Sequence, residues 1–117
     1  MAYEAKHRKV YNHSAEFISQ SASEIIKGLG GKESNKSNPT KGRLDANFNK
    51  KIKNEYINNR VQLQVKIDAQ SPEQCMVSAM SYPVDPVGQK LGFGVRGEPA
   101  RLVIDTFFAE LDAQFLS

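Results

Sequence analysis

From Val61 to Ile67 the apolar residues Val61, Leu63, Val65 and Ile67 alternate strictly with Gln62, Gln64 and Lys66. Successive side chains of a strand point to opposite faces, so this segment is a strand that is wet on one side and apolar on the other. Such a strand is stable only beneath a cover, and the rest of the chain has to supply it. Two segments can. Ala15, Ile18, Ala22, Ile25, Ile26 and Leu29 recur at helical spacing behind the N-cap residue Ser14, and the glycines at 28, 30 and 31 supply a left-handed stop. Ala100, Val103, Ile104, Phe107, Phe108, Leu111 and Phe115 form a broader stripe, with Pro99 at the first helical position and Glu98 beside the positive end of the dipole.

The remaining strands follow the same logic. Leu44, Ala46, Phe48, Ile52 and Tyr56 share one parity, and Asn58-Asn59 suits a two-residue type I′ turn into Val61. That turn predicts a register in which Tyr56 faces Val61, Ile52 faces Val65 and Phe48 faces Ala69. It leaves Lys50 and Asn54 on the apolar face, so a bulge or an overhang into water is expected. A turn at Ser71-Pro72 leads to a third strand, Cys75 to Tyr82, apolar on both parities and hence central. Tyr3 to Tyr11 reads as a charged edge strand or a helical turn. Leu91, Phe93 and Val95 alternate as a short extra strand would. Residues 31–41 have almost no apolar content and read as a mobile basic loop. With 117 residues there is room for one core. The expectation is therefore a single α+β domain over residues 1–117, a two-layer fold with an antiparallel sheet of three to five strands and two helices on one face, in the order β-α-β-β-β-(β)-α.

Charge is distributed unevenly. Residues 1–60 carry twelve Lys and Arg against six Asp and Glu, residues 61–117 four against seven, so the net charge of +3 conceals a basic first half. Its centre, from Lys32 to Arg60, reads first as a solvated loop and a sheet edge guarded by lysines. Lys50, Lys51, Lys53, Tyr56 and Arg60 on one hairpin could alternatively touch phosphates and stack a base, although no recognition motif accompanies them. No apolar run approaches the ~20 residues of a membrane span, no secretory h-region follows the first residues, and Cys75 is the single cysteine, so a cytoplasmic protein without a disulfide is expected.

Catalytic signatures are sparse. Gly92-Phe93-Gly94-Val95-Arg96-Gly97 fits G-x-G-x-x-G, but a dinucleotide fingerprint requires a buried parallel strand before it and an acidic residue ~20 positions on, a place that falls at Ser117. Glu98 would repel phosphate there and Pro99 removes a backbone donor. These glycines read as turn punctuation. His7, His13 and Cys75 stand at no recurrent ligand spacing, so no metal, cofactor or catalytic residue is assigned. The connection after the third strand is unusually apolar for a loop, with Tyr82, Val84, Val87, Leu91 and Phe93. The leading reading is a small, non-enzymatic binding or assembly module that self-associates, contacting partners through the 82–95 connection and the sheet surface. A carrier of a small apolar ligand between sheet and helices, nucleic-acid binding through the 50–60 hairpin, and an enzyme completed at a subunit interface by groups such as Arg96 or Asp85 are the alternatives.

Overall fold

The computed structural model describes residues 3–115. Its frame is a long hairpin: β6 (Arg60–Ser71) and β7 (Gln74–Val84) pair antiparallel around a tight turn at Pro72-Glu73. β7 is central, as its apolar content predicts, with β6 on one side and β1 (Ala5–Tyr11) on the other. Tyr3 to Tyr11 thus resolves in favour of the edge strand, whose Lys6, Arg8 and Lys9 discourage pairing with another chain. β3 (Arg43–Phe48) joins the far side of β6, and β2 (Lys32–Glu33) closes that edge. The five strands run in the order β1-β7-β6-β3-β2, every neighbour antiparallel.

Helices α1 (Ala15–Gly28) and α2 (Pro99–Phe115) cover one face. The Oγ of Ser14 accepts the Phe17 amide at 3.2 Å, and α1 ends as its amides at 29 and 31 reach back to Ile25 and Ile26 while Gly30 takes φ +97°. Pro99 opens α2, and the buried hydroxyl of Ser81 donates to the Ala100 carbonyl at 2.6 Å, fixing the helix start on β7. Phe48, Phe107, Ile104, Leu63 and Val77 are fully enclosed between the layers. The fold is the two-layer α+β arrangement with an antiparallel sheet and both helices on one side. No described helix is long and apolar enough to cross a membrane.

Three local expectations are corrected. Asn58-Asn59 is not the hairpin turn: Phe48 faces Val61 and Leu44 faces Val65, so the expected pairing of Phe48 with Ala69 does not occur. Ala69 instead pairs with Cys75. The residues between Phe48 and Arg60 make a separate small hairpin, β4 (Lys51–Ile52) with β5 (Glu55–Tyr56), turning at Lys53-Asn54. Lys50 and Lys53, with φ +62° and +57°, bend the chain out of the main sheet while Ile52 and Ile57 return to the core. The off-parity Lys50 and Asn54 marked this departure rather than a bulge. Leu91, Phe93 and Val95 form no strand; a single bridge, Val84 to Lys90, is made there. The fifth strand comes instead from Lys32–Glu33, within the segment read as a loop, where Glu33 accepts from the hydroxyls of Ser23 and Ser37 at 2.6 Å each.

Candidate functional site

Strand register decides what stands on the face away from the helices. Arg8 is paired with Ser78, Ser78 with Lys66, and Lys66 with Arg43, so one row crosses β1, β7, β6 and β3. The next row runs Lys6, Met80, Gln64, Asp45. Neighbouring strands lie ~4.8 Å apart, so each row holds its four side chains in a line ~14 Å long. Together with Lys36 from the turn after β2, these rows line a trough of about 740 Å³. Leu44, Val65 and Ala79 border it too, but their side chains are buried under the helices, so the trough meets their backbone.

The electrostatics of the trough are one-sided. Lys6, Arg8, Lys36, Arg43 and Lys66 line it, and Asp45 is its single carboxylate among the described residues. Lys66 has a loose contact to Asp68 at 3.9 Å and Lys6 one to Glu4 at 3.6 Å. Arg8, Lys36 and Arg43 have no acidic partner within 4 Å among the described residues. Asp45 is buried and engaged by neutral donors, the hydroxyl of Ser34 at 2.9 Å and the side-chain amides of Gln62 and Gln64. No lining cation lies within 4 Å of its carboxylate among the described residues. Met80 adds a polarizable apolar floor between them.

Tyr82, expected among the partner-contacting residues, belongs to this face. It stands half-buried next to Gln62, with the Lys90 ammonium 5.2 Å from its ring centroid. Burial, and secondarily the charge of Asp45, raise its phenol above the ordinary range. Lys90 in turn meets Glu4 at 2.5 Å, and that hydrogen bond holds the Glu4 carboxyl below its usual range.

The other expected contact residues meet elsewhere. Val84, Leu91 and Phe93 from one connection and Lys50 and Arg60 from the other line a common cleft of about 460 Å³. Two separately expected sites thus share one opening. Val87 sits at the exposed tip beside it. Lys51 instead lies 5.7 Å from the Tyr56 ring centroid, and Lys53 reaches Glu110 of α2 at 3.4 Å, so the 50–60 cations do not form one continuous ribbon. Arg96 offers its carbonyl to the Asn58 amide at 3.4 Å, and Asp85 caps its own turn.

The single cysteine and the two histidines of the sequence are packed against the core or against aromatic rings. Cys75 is buried, and burial pushes its thiol up. His7 packs edge-on to Phe108, and His13 lies between Phe17 and Phe115. Lys6, Arg8, Arg43 and Lys66 each occupy the polar parity of a strand, where a solvated cation is ordinary, and Lys36 stands in a turn, so no local pattern marks them. Only the register brings residues 6, 8, 43 and 66 together.

No family model matches the chain, and no curated protein matches it in sequence. Among solved structures it is similar to BexL, a di-domain ARO/CYC of the BE-7585A biosynthetic pathway, with a TM-score of 0.53 and 10% identity over 93% of this chain. The match spans 43% of BexL's own length. An uncharacterised protein of Bacillus thuringiensis aligns over 94% of both chains with a TM-score of 0.46 and 14% identity. The likeness to BexL is a likeness of fold.

Proposed function

We propose that this domain is a binding module whose working surface is the open sheet face, and whose ligand is a small anionic molecule with an apolar body. The observation that supports this reading is the row Arg8, Lys66, Arg43 across three strands, flanked by Lys6 and Lys36 and floored by Met80. Cations set this close repel one another, and an anion in the trough relieves that repulsion. The methylene stems of the lysines and arginines, with Met80, give an apolar body something to lie on. The trough lies on the side opposite the helices, so this ligand is not held between the layers. The same charge disfavours packing of two copies face to face, since like rows would meet. The likeness to BexL bears on the fold; the ligand class rests on the trough.

The test is a fluorescence titration with 8-anilinonaphthalene-1-sulfonate, which is both anionic and aromatic. Binding should weaken as salt is added. A variant with Arg8→Gln, Arg43→Gln and Lys66→Gln should bind about tenfold more weakly or worse, because charge-assisted contacts are each worth about 1.5–3 kcal/mol. Equal affinity in parent and variant, or indifference to salt, refutes the proposal.

A further inference from the structure

We infer that the cleft between residues 49–60 and residues 84–94 docks an acidic peptide segment carrying an aliphatic or aromatic anchor, at a surface separate from the sheet-face trough. One wall is apolar, with Leu91 and Phe93 presented to the cleft over the buried Val84; the other carries Lys50, Arg60 and asparagines. Phe93 is 85% exposed and Val87 82%, on the same connection, so the apolar exposure is concentrated at this end. An anchor side chain entering the cleft would cover Phe93 and release the water around it.

Charge selects among occupants. Asp85 is the only acid in the lining among the described residues, and its Oδ1 already accepts the amides of Val87 and Gln89 at 2.9 Å each. Lys50 has no acidic partner among the described residues. Arg60 spends one guanidinium nitrogen on the Pro86 carbonyl at 3.0 Å, which orients the group and leaves its other donors for a carboxylate. A second copy presenting this same cleft would set Lys50 and Arg60 against their equivalents, so the geometry disfavours a twofold dimer here. A nucleic-acid strand is disfavoured because Phe93 is the one aromatic ring lining the cleft among the described residues, whereas single strands are held by successive stacking platforms.

The experiment selects a random phage-displayed peptide library on the folded chain, then measures the enriched peptide, fluorescein-labelled, by anisotropy. Enriched sequences should combine Asp or Glu with Leu, Phe or Trp. Lys50→Glu and Phe93→Ser should each weaken binding by about tenfold or more, the scale of an interface anchor or a charge reversal. Both positions are exposed, so the urea midpoint should not move. The sheet-face variant Arg8→Gln/Arg43→Gln should bind the peptide as the parent does, which separates this proposal from the preceding one. No enrichment, acid-poor peptides, or binding that ignores both cleft substitutions overturns it. A concentration-dependent dimer abolished by Phe93→Ser overturns it in favour of a second copy. Binding of oligo-dT that the cleft substitutions abolish overturns it in favour of nucleic acid.

Discussion

Gly31 lies against the buried ring of Phe48. A Cβ added there would stand 2.7 Å from Phe48 Cζ, 2.8 Å from Ile26 Cγ2 and 3.0 Å from Phe48 Cε1. Its backbone is not in the left-handed region, so alanine is disfavoured by crowding alone. Overpacking of this kind costs about 1–3 kcal/mol. Removing a glycine's freedom from the unfolded chain returns about 0.4–1 kcal/mol. The expected net loss for Gly31→Ala is thus between about 0 and 2.6 kcal/mol, centred on ~1.3 kcal/mol. Two of the three crowding atoms belong to Phe48, so Phe48→Leu, destabilising alone by about 1–3 kcal/mol as a large-to-small core change, should relieve most of the clash. The double variant should be more stable than the sum of the single losses by about 1 kcal/mol or more, well outside the ~0.3–0.5 kcal/mol scatter of independent sites. Urea denaturation with an unchanged m-value measures all three. Additive losses would refute the packing of the Phe48 ring against the end of α1.

Further predictions concern single groups. Gly42 has φ +71°, and a Cβ there would run into the Ile67 carbonyl, so Gly42→Ala should cost more than the ~1 kcal/mol of a left-handed alanine, read as a lowered urea midpoint. Tyr11 is fully buried and donates to Asp112 Oδ1 at 2.7 Å; burial, then that bond, raise its phenol far above the ordinary 10.0. Above that ordinary value the unfolded chain loses a proton that the native state keeps, so stability should fall as pH rises past about 9–10, with Cys75 contributing at the lower end. Tyr11→Phe should flatten this alkaline slope in urea melts; an unchanged slope counts against it. Asp45→Asn removes the single carboxylate of the trough and should tighten binding of the anionic fluorophore by a few-fold, whereas weaker binding would mean that Asp45 shapes the trough more than it repels.

The parts of the fold legible in the sequence are those where periodicity and caps agree. Ser14 and the glycines after Lys27 bound α1, Pro99 opens α2, and the alternation from Val61 to Ile67 shows which side of the sheet they cover. The connection after Phe48 was misread because two asparagines satisfy a type I′ turn as well as any pair, while the actual bend rests on positive φ at Lys50 and Lys53, which lysine seldom adopts. Lys32–Glu33 is too short and too polar to leave a period. Residues of the cleft were legible as two separate groups. Their meeting, and the cationic rows of the trough, depend on register between segments far apart in sequence, which no local pattern encodes.

The strand order also sets a schedule for synthesis. Ala5–Tyr11 borders only β7, so it must wait, unpaired, until Cys75–Ser81 has been made. Closing a loop of that length is slow relative to forming the hairpin of β6 and β7. During translation the nascent segment would depend on Lys6, Arg8 and Lys9 to keep it hydrated, and the first strand made would be among the last to be stitched into place.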